Sequence, residues 1–105
     1  MKKKVIVDER AKTEIYGFPY MVQLSFEGYF DILADKGRLE YPDTKKVGKN
    51  LFEIRIKSEG EYRGLYAYVG KQFIVILHAF RKKTQKTPIR SLKVAERRLR
   101  EYERQ

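Results

Sequence analysis

The stretch HAFRKKTQKTP, His78 to Pro88, sets one imidazole ahead of Arg81, Lys82, Lys83 and Lys86, and it follows FIVIL, one of the most apolar runs in the chain. More cations stand upstream, Arg55 and Lys57 in LFEIRIK and Arg63 in YRGLYAYV. Guanidinium and ammonium groups that converge on one surface suit a phosphodiester, because they neutralise the phosphate and the further charge that builds on it during bond exchange. RNA brings its own nucleophile, the 2′-OH, so such a site need only move protons. Arg63 suits a bidentate hold on phosphate, a lysine among cations suits a base, and His78 or a lysine of the 81–86 loop suits an acid. The same side chains would also make a basic module that binds RNA or a ribosome and cuts nothing.

Composition points to the same kind of partner. The 105 residues hold 24 Lys and Arg against 14 Asp and Glu, a formal net charge of +10. Residues 1–80 are nearly balanced, with 14 basic and 11 acidic side chains, whereas residues 81–105 carry 10 and 3. Charge this lopsided fits nucleic acid before an anionic membrane or an acidic protein. With no cysteine and a single histidine, thiolate and multi-histidine metal sites are excluded, and no metal or cofactor is expected. No run reaches the ~18 apolar residues of a membrane span. MKKKVIV meets Asp8, Glu9 and Arg10 before a signal-peptide core can form, so the cytoplasm is the expected location and no membrane partner is expected.

The elements that must position the cations follow from periodicity. VIV at Val5–Val7 is a short β-branched strand, and Asp8 can cap a helix that runs to Tyr16 before Gly17 and Pro19. From Tyr20 to Asp35, Val22, Phe26, Tyr29, Phe30 and Leu33 recur at helical spacing, with Gly37 at a C-cap. Arg38 to Asn50, with Pro42 and Gly48, reads as a connecting loop. LFEIRIK then alternates with period two, and turns at SEGE and GKQ separate it from YRGLYAYV and FIVILHAF, so the three form an antiparallel meander. The last strand is apolar at every position from Phe73 to Leu77, as a central strand covered on both faces should be. Thr87 as N-cap and Pro88 at the first helical position start a basic amphipathic helix with the stripe Ile89, Leu92, Ala95, Leu99 and Tyr102. Together these predict one α+β domain over residues 1–105. It has a small mixed, mainly antiparallel sheet, two N-terminal helices on one face, and a basic C-terminal helix beside the site.

Two features keep a structural and a functional reading side by side. Tyr62, Tyr66 and Tyr68 share one strand face, where a helix could cover them or unpaired bases could stack on them. Period two puts His78 on the face of Ile74, Ile76 and Phe80, which suits a hydrogen-bonded core imidazole as well as a proton shuttle.

From Leu51 to Tyr102, the elements LFEIRIK, EYRGLYAYV and FIVILHAFRKKTQKTP with the basic helix behind them resemble the RelE/HigB-type bacterial toxins, especially their phage-derived HigB-like branch. That resemblance implies a RelE-like fold and the toxin of a type II toxin–antitoxin pair, which cuts mRNA in the ribosomal decoding site without a metal. It implies contacts with mRNA on the ribosome and with ribosomal RNA. The neutralising partner would be a helix-turn-helix antitoxin encoded by a neighbouring gene, through which alone operator DNA is reached. The family's basic site residues would fall on Arg55, Lys57, Arg63 and the Arg81–Lys83 cluster; taken with the chemistry above, the expected catalytic set is Arg55, Lys57, Arg63, Lys82 and His78, with Arg81, Lys83, Lys86 and Arg90 as RNA and phosphate contacts. Glu53 stands where some relatives carry lysine, so a cationic base would fall to Lys57 or Lys82.

Overall fold

The computed structural model describes residues 2–104. Its elements run β1 (Lys4–Val7), α1 (Glu9–Tyr16), α2 (Tyr20–Lys36), β2 (Thr44–Gly48), β3 (Leu51–Lys57), β4 (Glu61–Val69), β5 (Phe73–Lys82) and α3 (Ile89–Glu103). The strands form one sheet in the order β1-β5-β4-β3-β2, with β1 parallel to β5 and every other pair antiparallel. Helices α1 and α2 cover one face, where Ala11, Ile15, Val22, Phe26 and Leu33 pack on Ile54, Tyr62, Tyr66, Ile74 and Ile76. Helix α3 covers part of the other, with Ala95 and Leu99 over Leu51, Leu65, Ala67, Val75 and Leu77. Tyr62 and Tyr66 are therefore core residues beneath the N-terminal helices, with no face free for a base.

The segment expected to be a loop, Arg38 to Asn50, contains the edge strand β2. TKKVG has little apolar content, so its strand character comes from pairing with β3. Exposed Lys45 and Lys46 suit such an edge, since charge discourages further pairing. The helix ends follow local chemistry: Asp8 accepts the Arg10 N–H at 2.9 Å to cap α1, and Gly37, at φ 78°, closes α2 by donating to the Leu33 carbonyl.

Two carboxylates fasten α1 to the rest. Burial works against ionisation of Asp8, but bonds from the Arg10 guanidinium, the Tyr102 hydroxyl and the Arg10 N–H outweigh it and hold the carboxyl well below its usual range. Burial and the Asp8 carboxylate in turn push the Tyr102 hydroxyl up to about 12. Glu14 joins α1, β5 and α3: Oε1 accepts from the Ala79 N–H at 3.0 Å, and Oε2 accepts from Arg98 Nη2 at 3.1 Å. Burial opposes its charge, yet His78, Arg98 and the Ala79 N–H bring its carboxyl below the ordinary value.

Gly64 on β4 is the closest approach of sheet to helix. A Cβ there would lie 2.7 Å from Phe26 Cε1, so the ring of α2 packs directly on the strand backbone. Gly64→Ala should lower the unfolding free energy by ~1–3 kcal/mol through overpacking, measured by urea denaturation. Acid should act through Asp8 and Glu14. A depressed folded pKa stabilises fully above the unfolded value, and the contribution is lost as pH falls through the folded value. The melting temperature should thus be level from neutrality to about pH 5 and fall below it, and Glu14→Gln should flatten part of that fall in a circular-dichroism melt series.

Candidate functional site

The face of the sheet that carries α3 changes character along its length. Under the helix it is apolar, ending with Leu65 and Leu77. Beyond that, the register aligns Arg55 with Arg63 and Phe80, and then Lys57 with Glu61 and Lys82. Neighbouring positions on adjacent strands share a face, so cations from three strands meet there. With the loop after β5 they line an open cleft of about 390 Å³ formed by Arg55, Glu61, Arg63, Lys82, Lys83, Thr84 and Gln85.

Beneath this surface lies a buried ion pair. The Glu53 side chain is 2% exposed and that of Arg63 is 3% exposed, with Glu53 Oε1 3.6 Å from Arg63 Nε and 3.9 Å from Arg55 Nε. Glu53 Oε2 accepts the Thr87 hydroxyl at 2.8 Å. Arg63 Nη1 donates to the Tyr62 carbonyl at 3.1 Å, and Nη2 donates to Glu61 Oε1 at 2.6 Å. Arg63 Nε is buried and has no hydrogen-bond acceptor among the described residues. Contact with Arg63, and after it with Lys82 and Lys57, holds the Glu61 carboxyl below its ordinary value.

A cationic cleft on this topology invites comparison with known families. The model of the family "Phage derived protein Gp49-like (DUF891)" matches residues 13–100. The chain belongs to that family. This Gp49-like protein is also similar in three dimensions to a doubly substituted form of the E. coli toxin RelE in the free state. The TM-score is 0.72 at 17% identity, covering 94% of this chain and 99% of that one. Against a chain of the toxin–antitoxin complex RelBE2 from Mycobacterium tuberculosis the TM-score is 0.60 at 16% identity, covering 78% of this chain and 100% of the other. At these identities the likeness carries the fold, a RelE-like α+β arrangement. Among curated proteins none matches in sequence.

In the Gp49-like chain the expected site residues separate into groups. Arg55, Arg63, Lys82 and Lys83 come together in the cleft, and Lys57 stands at its rim through its pairing with Glu61. Arg63, expected to hold phosphate in a fork, has protein acceptors on both terminal nitrogens. Arg81 pairs with Tyr62 on the opposite face, its guanidinium 5.8 Å from the ring centroid. Arg90 borders a second cleft with Phe80, Arg81, Lys83, Thr84 and Ser91, and Lys86 is an exposed loop residue whose carbonyl accepts from Thr84.

His78 lies outside the cleft, and period two misplaces it. The pairing passes from Tyr66–Ile76 to Leu65–His78, leaving Leu77 as an extra residue, a β-bulge. His78 therefore leaves the face of Ile74 and Ile76, stacks on Phe80 at 5.4 Å and reaches Glu14 Oε1 through Nδ1 at 2.9 Å. An ionised carboxylate only accepts, so the Nδ1 hydrogen is on the ring. Four residues of strand, about 13 Å, separate His78 from Lys82. Arg98 Nη1 donates to the Leu77 carbonyl at 2.8 Å, bonding α3 to the bulge.

The expected Thr87 cap is also replaced. Pro88 occupies the cap position of α3 with no side-chain bond, because the Thr87 hydroxyl goes to Glu53 instead. A buried carboxylate is the stronger acceptor competing for it. Glu61, Thr84 and Gln85 were not singled out from the sequence; the one signal for Glu61 is an acid placed between Lys57 and Lys82 by the hairpin register. Removing one partner of a buried pair strands the other, so Glu53→Ala should cost ~3–5 kcal/mol. Glu53→Gln, which keeps an acceptor for Thr87, should cost less, both read from urea unfolding.

Proposed function

We propose that this protein is the toxin of a type II toxin–antitoxin pair and an endoribonuclease that cleaves mRNA on the ribosome. The observation that carries this reading is the convergence of Arg55, Lys82 and Lys83 on one open cleft of a RelE-like sheet. A phosphodiester in that cleft would meet three cations able to stabilise the charge of a pentavalent phosphorane. The attacking group is the substrate's own 2′-OH, so the chemistry needs only a proton acceptor and a proton donor from the chain. No step requires a metal. Arg63 takes the part of a positioning residue: buried and engaged, it holds the cleft wall in shape. Lys57 at the rim, with Arg81, Lys86 and Arg90 beyond it, would extend contacts along mRNA and ribosomal RNA. The similarity to a chain of a toxin–antitoxin complex supports an antitoxin as protein partner. We assign to that partner a helix-turn-helix fold, a neighbouring gene and the contact with operator DNA, and to the toxin a cytoplasmic site of action.

A non-catalytic RNA- or ribosome-binding module would use the same surface, and activity separates the two. Purified protein should cut mRNA on programmed ribosomes, and excess chelator should leave the rate unchanged. Arg55→Ala and Lys82→Ala, both at the accessible cleft, should each lower kcat/KM by about 10²-fold or more while the variants still melt cooperatively. Intact mRNA, together with binding whose salt slope drops by roughly 1 per cation removed, would favour the binding module.

A further inference from the structure

We propose that Glu61 is the general base of the cleavage, taking the proton from the RNA 2′-OH. This rests on the endoribonuclease reading above and assigns within it the role of base, which a lysine could take only as a neutral amine, to a carboxylate that is already ionised at neutral pH. Arg55, Arg63, Lys82 and Lys83 line the cleft as donors, and Thr84 and Gln85 have no basic group, which leaves Glu61 as the carboxylate on the lining. Glu53, the acid behind the cleft wall, is buried against Arg63 and already accepts from Thr87. His78 is engaged with Glu14 and lies away from the cleft.

The position of Glu61 suits the task. Its side chain is 50% exposed, while Oε1 is held by Arg63 Nη2 at 2.6 Å. Arg63 is itself immobilised by the Tyr62 carbonyl and the Glu53 carboxylate, so a rigid buried group orients an accessible one. That bond is the one hydrogen bond the Glu61 side chain makes among the described residues, which leaves capacity on the carboxylate for a substrate hydroxyl. Contact with Arg63 keeps the group ionised at neutral pH, ready to accept a proton without first losing one. Register sets Lys57 on one side of it and Lys82 on the other, and Lys82 also lines the cleft, where an ammonium can serve as the acid.

The step balances. The 2′-oxygen bonds to phosphorus as its proton passes to Glu61, the bond from phosphorus to the 5′ oxygen breaks, and that oxygen takes a proton from Lys82. The products are a 2′,3′-cyclic phosphate and a 5′-hydroxyl. Protonated Glu61 and neutral Lys82 return to their starting states by exchange with water.

The test compares wild type, Glu61→Gln and Glu61→Asp in mRNA cleavage on programmed ribosomes across pH, with kcat and KM determined separately. Glu61→Gln should lower kcat by about 10²–10⁴-fold with KM changed only a few-fold, and the rise in rate on the acid side of the profile should vanish. Glu61→Asp should keep an intermediate rate and that acid limb. If Glu61 merely offsets the charge of Arg63, Glu61→Gln should instead bind RNA more tightly, cut as fast as wild type or faster, and keep its pH profile; this result overturns the assignment. A wild-type rate that keeps rising into the alkaline range, the mark of a lysine base, would overturn it as well, whereas a fall there is what an ammonium acid at Lys82 predicts. Wild-type cleavage is the internal control: silence there overturns the endoribonuclease reading too, whereas active wild type with active Glu61→Gln removes only the base.

Discussion

The arrangement of this site depends on one buried ion pair, Glu53 with Arg63. Two charges shielded from water are tolerated only when each meets the other or a hydrogen-bonding partner. That requirement dictates much of what surrounds them. Glu53 draws Arg55 and Arg63 together across β3 and β4 and pulls in Thr87, which ties the start of α3 to the middle of the sheet. The loop 83–88 must then cross the end of the sheet, bringing Lys83, Thr84 and Gln85 to the cleft. The cationic surface is thus the outer layer of an electrostatic frame with two acids inside it, Glu53 below and Glu61 at the wall.

Much of this was legible beforehand because it is local. The alternation in LFEIRIK and YRGLYAYV, the Asp8 cap, the Gly37 terminus and the apolar stripe of α3 each follow from a few neighbouring residues. Convergence of cations from two strands and a loop also followed from the meander. What escaped was decided by tertiary partners. Strand β2 exists because β3 offers it an edge, a fact absent from TKKVG. Thr87 has two good acceptors to choose from, and only the folded chain shows that a buried carboxylate lies within reach. Arg63 was visible as one of the converging cations, but its burial depends on Glu53 and Glu61, whose proximity is a matter of register.

One sheet face serves two purposes without a boundary strand between them. On β3 and β4 the alternation that gives Leu51 and Leu65 to α3 gives Arg55 and Arg63 to the cleft, and on β5 the bulge carries the same face from Leu77 over to Phe80 and Lys82. Core packing therefore fixes the site geometrically, since the cleft side chains ride on strands whose other end is clamped by Ala95 and Leu99. The opposite face contributes from beneath: Phe26 against Gly64 sets how closely α2 presses on β4, one residue away from Arg63.

The bulge at Leu77 acts as a parity switch on β5. Were the ladder unbroken, Leu77 would oppose Leu65 and every later residue would slip by one, so that Arg81 would stand beside Glu61 and Lys82 would run past the end of β4. A guanidinium, fixed in charge and shape, would then occupy the place now held by an ammonium that can give up a proton. The single uncounted residue thus selects which of two adjacent cations lines the cleft.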